Sequence, residues 1–236
     1  MLEARGLTKH YGEAVALAGL TLSVAPGQVT ALLGANGAGK STTIAMFLGL
    51  VAPTRGDALV DGVSVAADPT AARAKLAYVP ETASLYPSLS GIETVQFFAD
   101  LAGRPRPSRA EAIAALAAAG LPEAAAGKRV AGYSKGMRQK TALAIAISKG
   151  AKALVLDEPL SGLDPVAAIE TTAAIRARAE AGAAVLMATH DLFRAHDIAD
   201  RLVILKSGRV VAEITPKDVD ARGLEALYVA HMRGAA

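Results

Sequence analysis

The chain has 236 residues, 52% of them hydrophobic and 20% charged, with a formal net charge of +3. That length carries one large domain or a core with a subdomain, and that composition excludes a disordered chain, because enough apolar surface is available to offset the entropy lost on folding. The absence of cysteine excludes disulfides and thiolate metal sites and fits a reducing compartment; the small positive excess suits an anionic ligand or membrane surface and is weak support for nucleic acid.

The first residues lack the apolar run of a signal peptide, and no uninterrupted apolar stretch reaches the roughly 20 residues that span a bilayer. The chain itself is therefore expected to be soluble. Residues 2–7 and 20–24 read as short strands separated by a turn at Tyr11 and Gly12. Tyr11 precedes the glycine-rich loop and offers a ring on which an adenine can stack; an ordinary packing tyrosine is the alternative.

After a turn at Pro26 and Gly27 comes an apolar, β-prone run over 29–33, then Gly34, Ala35, Asn36, Gly37, Ala38, Gly39, Lys40 and Ser41, then a helix-like run from Thr42 to residue 50. This fits G-x-x-x-x-G-K-[ST] between a strand and a helix. Glycines let the backbone approach a ligand closely, and successive N–H groups with the helix N-terminus make an anion cradle. Lys40 adds a cation for the outer phosphates, and the Ser41 hydroxyl suits Mg²⁺.

Residues 54–57 read as a turn, 58–60 as a strand, 71–75 as a helix and 76–79 as a strand stopped by Pro80, with Glu81 at its end. A carboxylate there can meet a ligand or metal, or be a solvated loop acid. From 85 to 121 strand signals vanish. Two helices are expected, one over 91–98 behind Ser90 and one over 108–119 with Ser108 and Glu111 as a capping box, giving a helical insertion. Ser134, Lys135 and Gly136 lead into a further helix over about 137–149, whose N-terminus can bind an anion.

The strand over 152–156 ends in Asp157 and Glu158. In phosphate-loop enzymes an Asp at such a strand end holds Mg²⁺; Glu158, on the other face if the strand continues, can align and deprotonate a water. Residues 161–165, including Asp164, form a turn before a helix over 166–180. A buried strand over 183–187 leads to His190, placed to bond a γ-phosphate or steer a water. His10, His196 and His231 show no constellation and are expected at the surface. A closing hairpin over 202–214 and a last helix over 223–232, with Leu224, Leu227 and Tyr228 on one face, complete the chain.

Together these segments resemble the ATP-binding cassette (ABC) family of nucleotide-binding domains across nearly the whole chain. Residues 34–42 look like the Walker A loop, 133–137 like the signature, 154–158 like Walker B with its catalytic Glu, 161–164 like the D-loop, His190 like the switch histidine and Tyr11 like the adenine-stacking aromatic. Departures from the usual pattern include Glu81 in place of the Q-loop glutamine, Lys135 in place of a signature glycine and Met137 in place of a signature glutamine. Tyr133 to Met137 with Pro80 and Glu81 resembles the ABC-2-type exporters and related drug, sodium or copper-maturation systems.

The resemblance implies an α/β fold: a P-loop NTPase core with a mixed sheet, an N-terminal antiparallel β part and a small inserted α-helical subdomain. It implies a core over about 1–84 and 150–215, the insertion over 85–149 and a C-terminal helix over 218–233. It implies two copies pairing head to tail around two Mg-ATP, Ser134, Lys135 and Gly136 of one facing the phosphates held by the other. Catalysis would rest on Glu158, His190 and Lys40, with Ser41, Glu81 and Asp157 toward Mg²⁺ and Asp164 among the nucleotide-binding residues. The expected partner is a membrane-spanning permease docking near 81–88 and the insertion, so the chain would sit peripherally on the cytoplasmic membrane face. A soluble ABC-type ATPase acting on nucleic acid or ribosomes is the alternative, and a nucleotide-binding regulator that no longer hydrolyses is a third reading; nucleic acid is not expected.

Overall fold

A computed structural model describes residues 1–233. In chain order the elements are β1 (Leu2–Tyr11), β2 (Ala14–Val24), β3 (Val29–Leu33), α1 (Lys40–Phe47), β4 (Arg55–Val60), β5 (Val63–Ser64), α2 (Pro69–Lys75), β6 (Leu76–Val79), α3 (Gly91–Leu101), α4 (Arg109–Ala118), α5 (Glu123–Ala126), α6 (Lys135–Ser148), β7 (Ala153–Asp157), α7 (Pro165–Glu180), β8 (Ala184–Thr189), α8 (Leu192–Ile198), β9 (Arg201–Lys206), β10 (Arg209–Ile214) and α9 (Ala221–Arg233). Contacts divide them into two units, one of 1–78, 152–158 and 179 onward, the other of 79–151 and 159–178.

The first unit carries an antiparallel sheet, β2-β1-β4-β5, and most of a mixed sheet, β10-β9-β3-β8-β7-β6. β3 pairs in parallel with β8 and β9, β8 in parallel with β7, and β10 returns antiparallel to β9. Every residue of β3 and β8 is buried, as expected of parallel strands covered on both faces, which read as continuous apolar runs. Leu2, Leu7, Leu17, Leu32, Phe47, Val155, Leu186 and Val203 belong to one apolar cluster, so the antiparallel and mixed sheets share a core. Register then places the ends of three strands side by side: Leu33 opposite Thr189, and Asp157 opposite Ala188.

Several elements differ from the sequence expectation. The second strand is the full 11 residues of β2, not 20–24, because Gly19, at φ +81°, carries the chain through an irregular register with β1. Residues 55–57 are not a turn but the start of β4: Gly56 sits at φ +83°, and a Cβ there would stand 2.4 Å from the Gly6 carbonyl oxygen, so this is a bulge that only glycine fills. Helix α1 begins at Lys40 and ends at Phe47, and α6 begins at Lys135 because Ser134 is its cap. His196 is half-buried rather than a surface residue, its Nε2 lying 2.8 Å from the Val219 carbonyl oxygen. On α9, Leu224 is fully buried but Leu227 is 40% exposed, so only part of the anticipated face is covered.

The second unit is helical. Ser90 and Ser108 each accept the N3 amide while Glu93 and Glu111 reach back to the cap amides, so α3 and α4 both start with a complete capping box. The Ser90 amide and hydroxyl hold the Glu93 carboxyl below its ordinary range, since both bonds favour the charged form. The short α5 and a single 3-10 turn at Val130–Gly132 were too brief to show a periodicity. No helix among the described residues is long and apolar enough to cross a membrane.

Candidate nucleotide-binding and hydrolysis site

The loop between β3 and α1 is shaped by close approach. A Cβ on Gly34 would lie 2.7 Å from the Leu205 carbonyl oxygen and 2.8 Å from the Ala38 Cβ; one on Gly39, at φ +111°, would lie 2.8 Å from the Ala16 carbonyl oxygen. Gly39 is also the N-cap of α1 and has no side chain to cap it, which leaves first-turn amides for an anion. Ala16, Ala35, Asn36, Gly37, Gly39, Lys40, Ser41 and Thr42 line a cavity of about 440 Å³.

Lys40 is buried in this loop and donates to the carbonyls of Gly34 (2.5 Å) and Ala35 (3.3 Å). Burial pushes its ammonium below the ordinary lysine range, while the charges of Glu158 and Asp157 pull it back up. A triphosphate entering the loop would strengthen that pull and give Lys40 partners of opposite charge.

Glu158 is where the sequence reading needs correction. β7 ends at Asp157, and Glu158 does not continue it to the opposite face; it turns into the left-handed region at φ +45°, with its amide bonded to the Ala188 carbonyl at 2.9 Å. A non-glycine residue there is strained and persists only where surrounding contacts fix it. They do: Thr189 Oγ1 donates to Glu158 Oε2 at 2.8 Å, and His190 Nδ1 lies 2.7 Å from Oε1. Since an ionised carboxylate only accepts, Nδ1 carries the proton in this contact and Nε2 is left toward solvent on a side chain that is 63% exposed.

Tyr11 ends β1 and is half exposed, with the Lys9 ammonium 5.0 Å from its ring centroid. That cation occupies ring surface, so a base stacking on Tyr11 has the remaining surface to use.

The signature-like residues lie in the second unit. Ser134 Oγ accepts the Met137 amide at 3.2 Å, capping α6, and Lys135 and Gly136 fill the first turn. A cation at the positive end of a helix is unfavourable by itself and suits an anion there. The Lys135 Nζ lies 2.9 Å from where a Cβ would stand on Gly162, and Asp164 caps α7 through Oδ1 and the Ala167 amide at 2.9 Å. The exposed Glu81 follows Pro80, whose carbonyl accepts from Gln139 of α6 at 3.0 Å.

Ser41 and Asp157 are a hydroxyl and a carboxylate at the ends of neighbouring elements in the first unit. Among the described residues, no group of three or more His, Cys, Asp and Glu could hold a metal by itself. That donor set fits Mg²⁺, which takes one or two protein oxygens and draws its other ligands from phosphate and water.

A family profile described as "ABC transporter" matches residues 17–161. The chain belongs to this family. It is an ATP-binding, ATP-hydrolysing ABC cassette. Relatives include the Nod factor export ATP-binding protein I of Cupriavidus metallidurans, 33% identical over 93% of this chain and 72% of that protein. The daunorubicin/doxorubicin resistance ATP-binding protein DrrA of Streptomyces peucetius is 38% identical over 91% of this chain, which spans 65% of DrrA's length. The fold matches a solved dimeric, post-hydrolysis state of the ATP-binding cassette MJ0796 bound to ADP and Pi, at a TM-score of 0.81 and 26% identity over 92% of this chain and 99% of that one.

The first unit brings together residues 34–42, Asp157, Glu158 and His190; the second carries Glu81, Ser134, Lys135, Gly136 and Asp164. Sequence reasoning missed Leu205 and Gly208, which shape the loop from another hairpin, and Thr189, which touches Glu158. The hairpin itself was expected from the sequence, but nothing in it showed that the turn meets the phosphate loop.

Proposed function

We propose that this ABC cassette is the ATP-driven subunit of an exporter, acting as a homodimer beneath a separate membrane-spanning permease. Two copies pair with two ATP between them. Residues 34–42 of one copy hold the phosphates, Tyr11 stacks the base, and Ser134, Lys135 and Gly136 of the other copy meet the γ-phosphate. Charge neutralised from both sides makes ATP the bond between copies. Ser41 and Asp157 would hold Mg²⁺ with the phosphates and water, and the ion would supply neutralisation of developing phosphate charge.

Glu158 takes a proton from water as its oxygen attacks the γ-phosphorus. The bond to the β-phosphate oxygen breaks, ADP leaves with that electron pair, and inorganic phosphate is formed. His190 holds one oxygen of the Glu158 carboxylate through Nδ1 and turns Nε2 to the transferring phosphoryl; Lys40 exchanges its loop carbonyls for phosphate oxygens. Loss of the shared γ-phosphate lets the copies part, and the permease, docked near 81–88 and the helical insertion, is reset. The name of the Nod factor export relative supports export.

The observation that carries the catalytic reading is the doubly held Glu158 carboxylate at a strained backbone position in the same unit as the phosphate loop. The experiment is phosphate release by Glu158→Gln: turnover is expected to fall at least a hundredfold, in the range of about 10²–10⁴ for lost general-base catalysis, with ATP binding kept. Turnover at the parental rate would remove Glu158 from its role.

A further inference from the structure

Thr189 is the last residue of the wholly buried β8 and stands between the two strands that deliver the reactants. On one side it faces Leu33, the residue before the phosphate loop; on the other, β8 pairs with β7, which ends at Asp157. Its hydroxyl is 2.8 Å from Glu158 Oε2 and 3.1 Å from the Asp191 amide nitrogen. A hydroxyl has one proton, and the carboxylate can only accept it, so the proton goes to Glu158 and an oxygen lone pair takes the Asp191 N–H. Both directions of the hydroxyl are therefore fixed, one by the start of α8 and one by the carboxylate.

His190 alone does not fix the carboxylate. It holds one oxygen through a side chain that is 63% exposed, whereas Thr189 is 5% exposed and its branched side chain is confined within the sheet. Held at one oxygen, a carboxylate rotates about its last bond, a broad torsion; held at both, its plane is set. Backbone strain at Glu158 aims the side chain out of the strand but does not set that plane.

We propose that Thr189 is a positioning residue of the hydrolytic reaction, its hydroxyl setting the plane in which the Glu158 carboxylate meets the attacking water. This rests on Glu158 being the base. Replacing the hydroxyl by a methyl of nearly the same shape keeps the side chain's volume, frees one carboxylate oxygen and also removes the acceptor of the Asp191 N–H, both of which Thr189→Ser restores.

The test is steady-state ATP hydrolysis by the full chain with Mg-ATP, comparing Thr189→Val, Thr189→Ser and Glu158→Gln, with thermal unfolding alongside. Thr189→Val is expected to lower kcat by about tenfold to a hundredfold, the worth of one hydrogen bond to a charged group, with the KM for ATP within about twofold. Thr189→Ser, which restores the hydroxyl, is expected within about threefold of the parent. Should the valine variant fold poorly, Thr189→Ala gives the same comparison. A Thr189→Val enzyme with parental kcat, or a loss that appears equally in Thr189→Ser, would overturn the proposal and assign Thr189 to packing. Those results beside an inactive Glu158→Gln would leave the base in place, whereas an active Glu158→Gln would remove the base itself.

Discussion

Replacing Gly208 by alanine separates backbone strain from close approach at the phosphate loop. Gly208 lies in the turn between β9 and β10 at φ +77°, donates its N–H to the Ala38 carbonyl at 2.9 Å and accepts from the Ala18 N–H at 2.9 Å. A Cβ there would stand 2.7 Å from the Ala16 carbonyl oxygen and 2.9 Å from the Leu17 Cα, both backbone atoms that no rotamer can move aside. The left-handed conformation costs an L-residue about 1–2 kcal/mol, and forcing atoms into a filled space adds about 1–3 kcal/mol. Gly62 is the internal control: it has nearly the same φ, +78°, and nothing within 4 Å of its added Cβ. Alanine also stiffens the unfolded chain by about 0.4–1 kcal/mol, but this is common to both and cancels in the comparison. Urea unfolding followed by far-UV circular dichroism should place Gly208→Ala about 1–3 kcal/mol below Gly62→Ala, the close-approach part alone. Its KM for ATP should rise as well, because Ala38 is part of the loop. Equal midpoints and an unchanged KM would show that the hairpin does not brace the loop.

Three further outcomes follow from particular contacts. Tyr11→Ala should raise the KM for ATP about twofold to tenfold, the worth of about 0.5–1.5 kcal/mol of ring stacking, while Tyr11→Phe keeps it and neither changes kcat; titration calorimetry with ATP reads the affinity directly. Ser90→Ala should cost about 1 kcal/mol of stability at neutral pH by uncapping α3. Because the Glu93 carboxyl is held below its ordinary range when folded, its share of that stability is complete above the ordinary glutamate range and disappears as pH falls through the depressed folded value, so the gap between parent and variant should narrow in acid. Lys135→Gly should leave ATP binding to the single chain unchanged while weakening ATP-dependent pairing, as measured by sedimentation at rising ATP.

The motifs were readable because each is local. Gly34 to Ser41 declares a strand, a loop and a helix within a few residues, and Ser90 and Ser108 with Glu93 and Glu111 declare helix starts by their spacing alone. The contacts that shape the loop were not readable, because they join residues far apart in the chain: Gly34 meets the Leu205 carbonyl and Gly39 the Ala16 carbonyl only once β9 and β2 are in place. Gly56 misled for a related reason. A left-handed glycine marks a turn and a bulge alike, and the carbonyls of Arg5 and Gly6 beside it decide for the bulge. Glu158 followed the alternation of strand side chains in sequence, but β7 stops one residue earlier, and the Ala188 carbonyl takes its amide instead. Thr189 carried no signal as an isolated threonine, since its role depends on which carboxylate lies across the sheet.

The claim beneath this account is that ATP joins two copies of the chain until it is cut. Light scattering of Glu158→Gln on a sizing column, with saturating Mg-ATP, measures this directly. The account predicts twice the chain mass with one ATP retained per chain, reverting to a single chain with ADP. A single-chain mass at saturating ATP, with ATP bound, would contradict it.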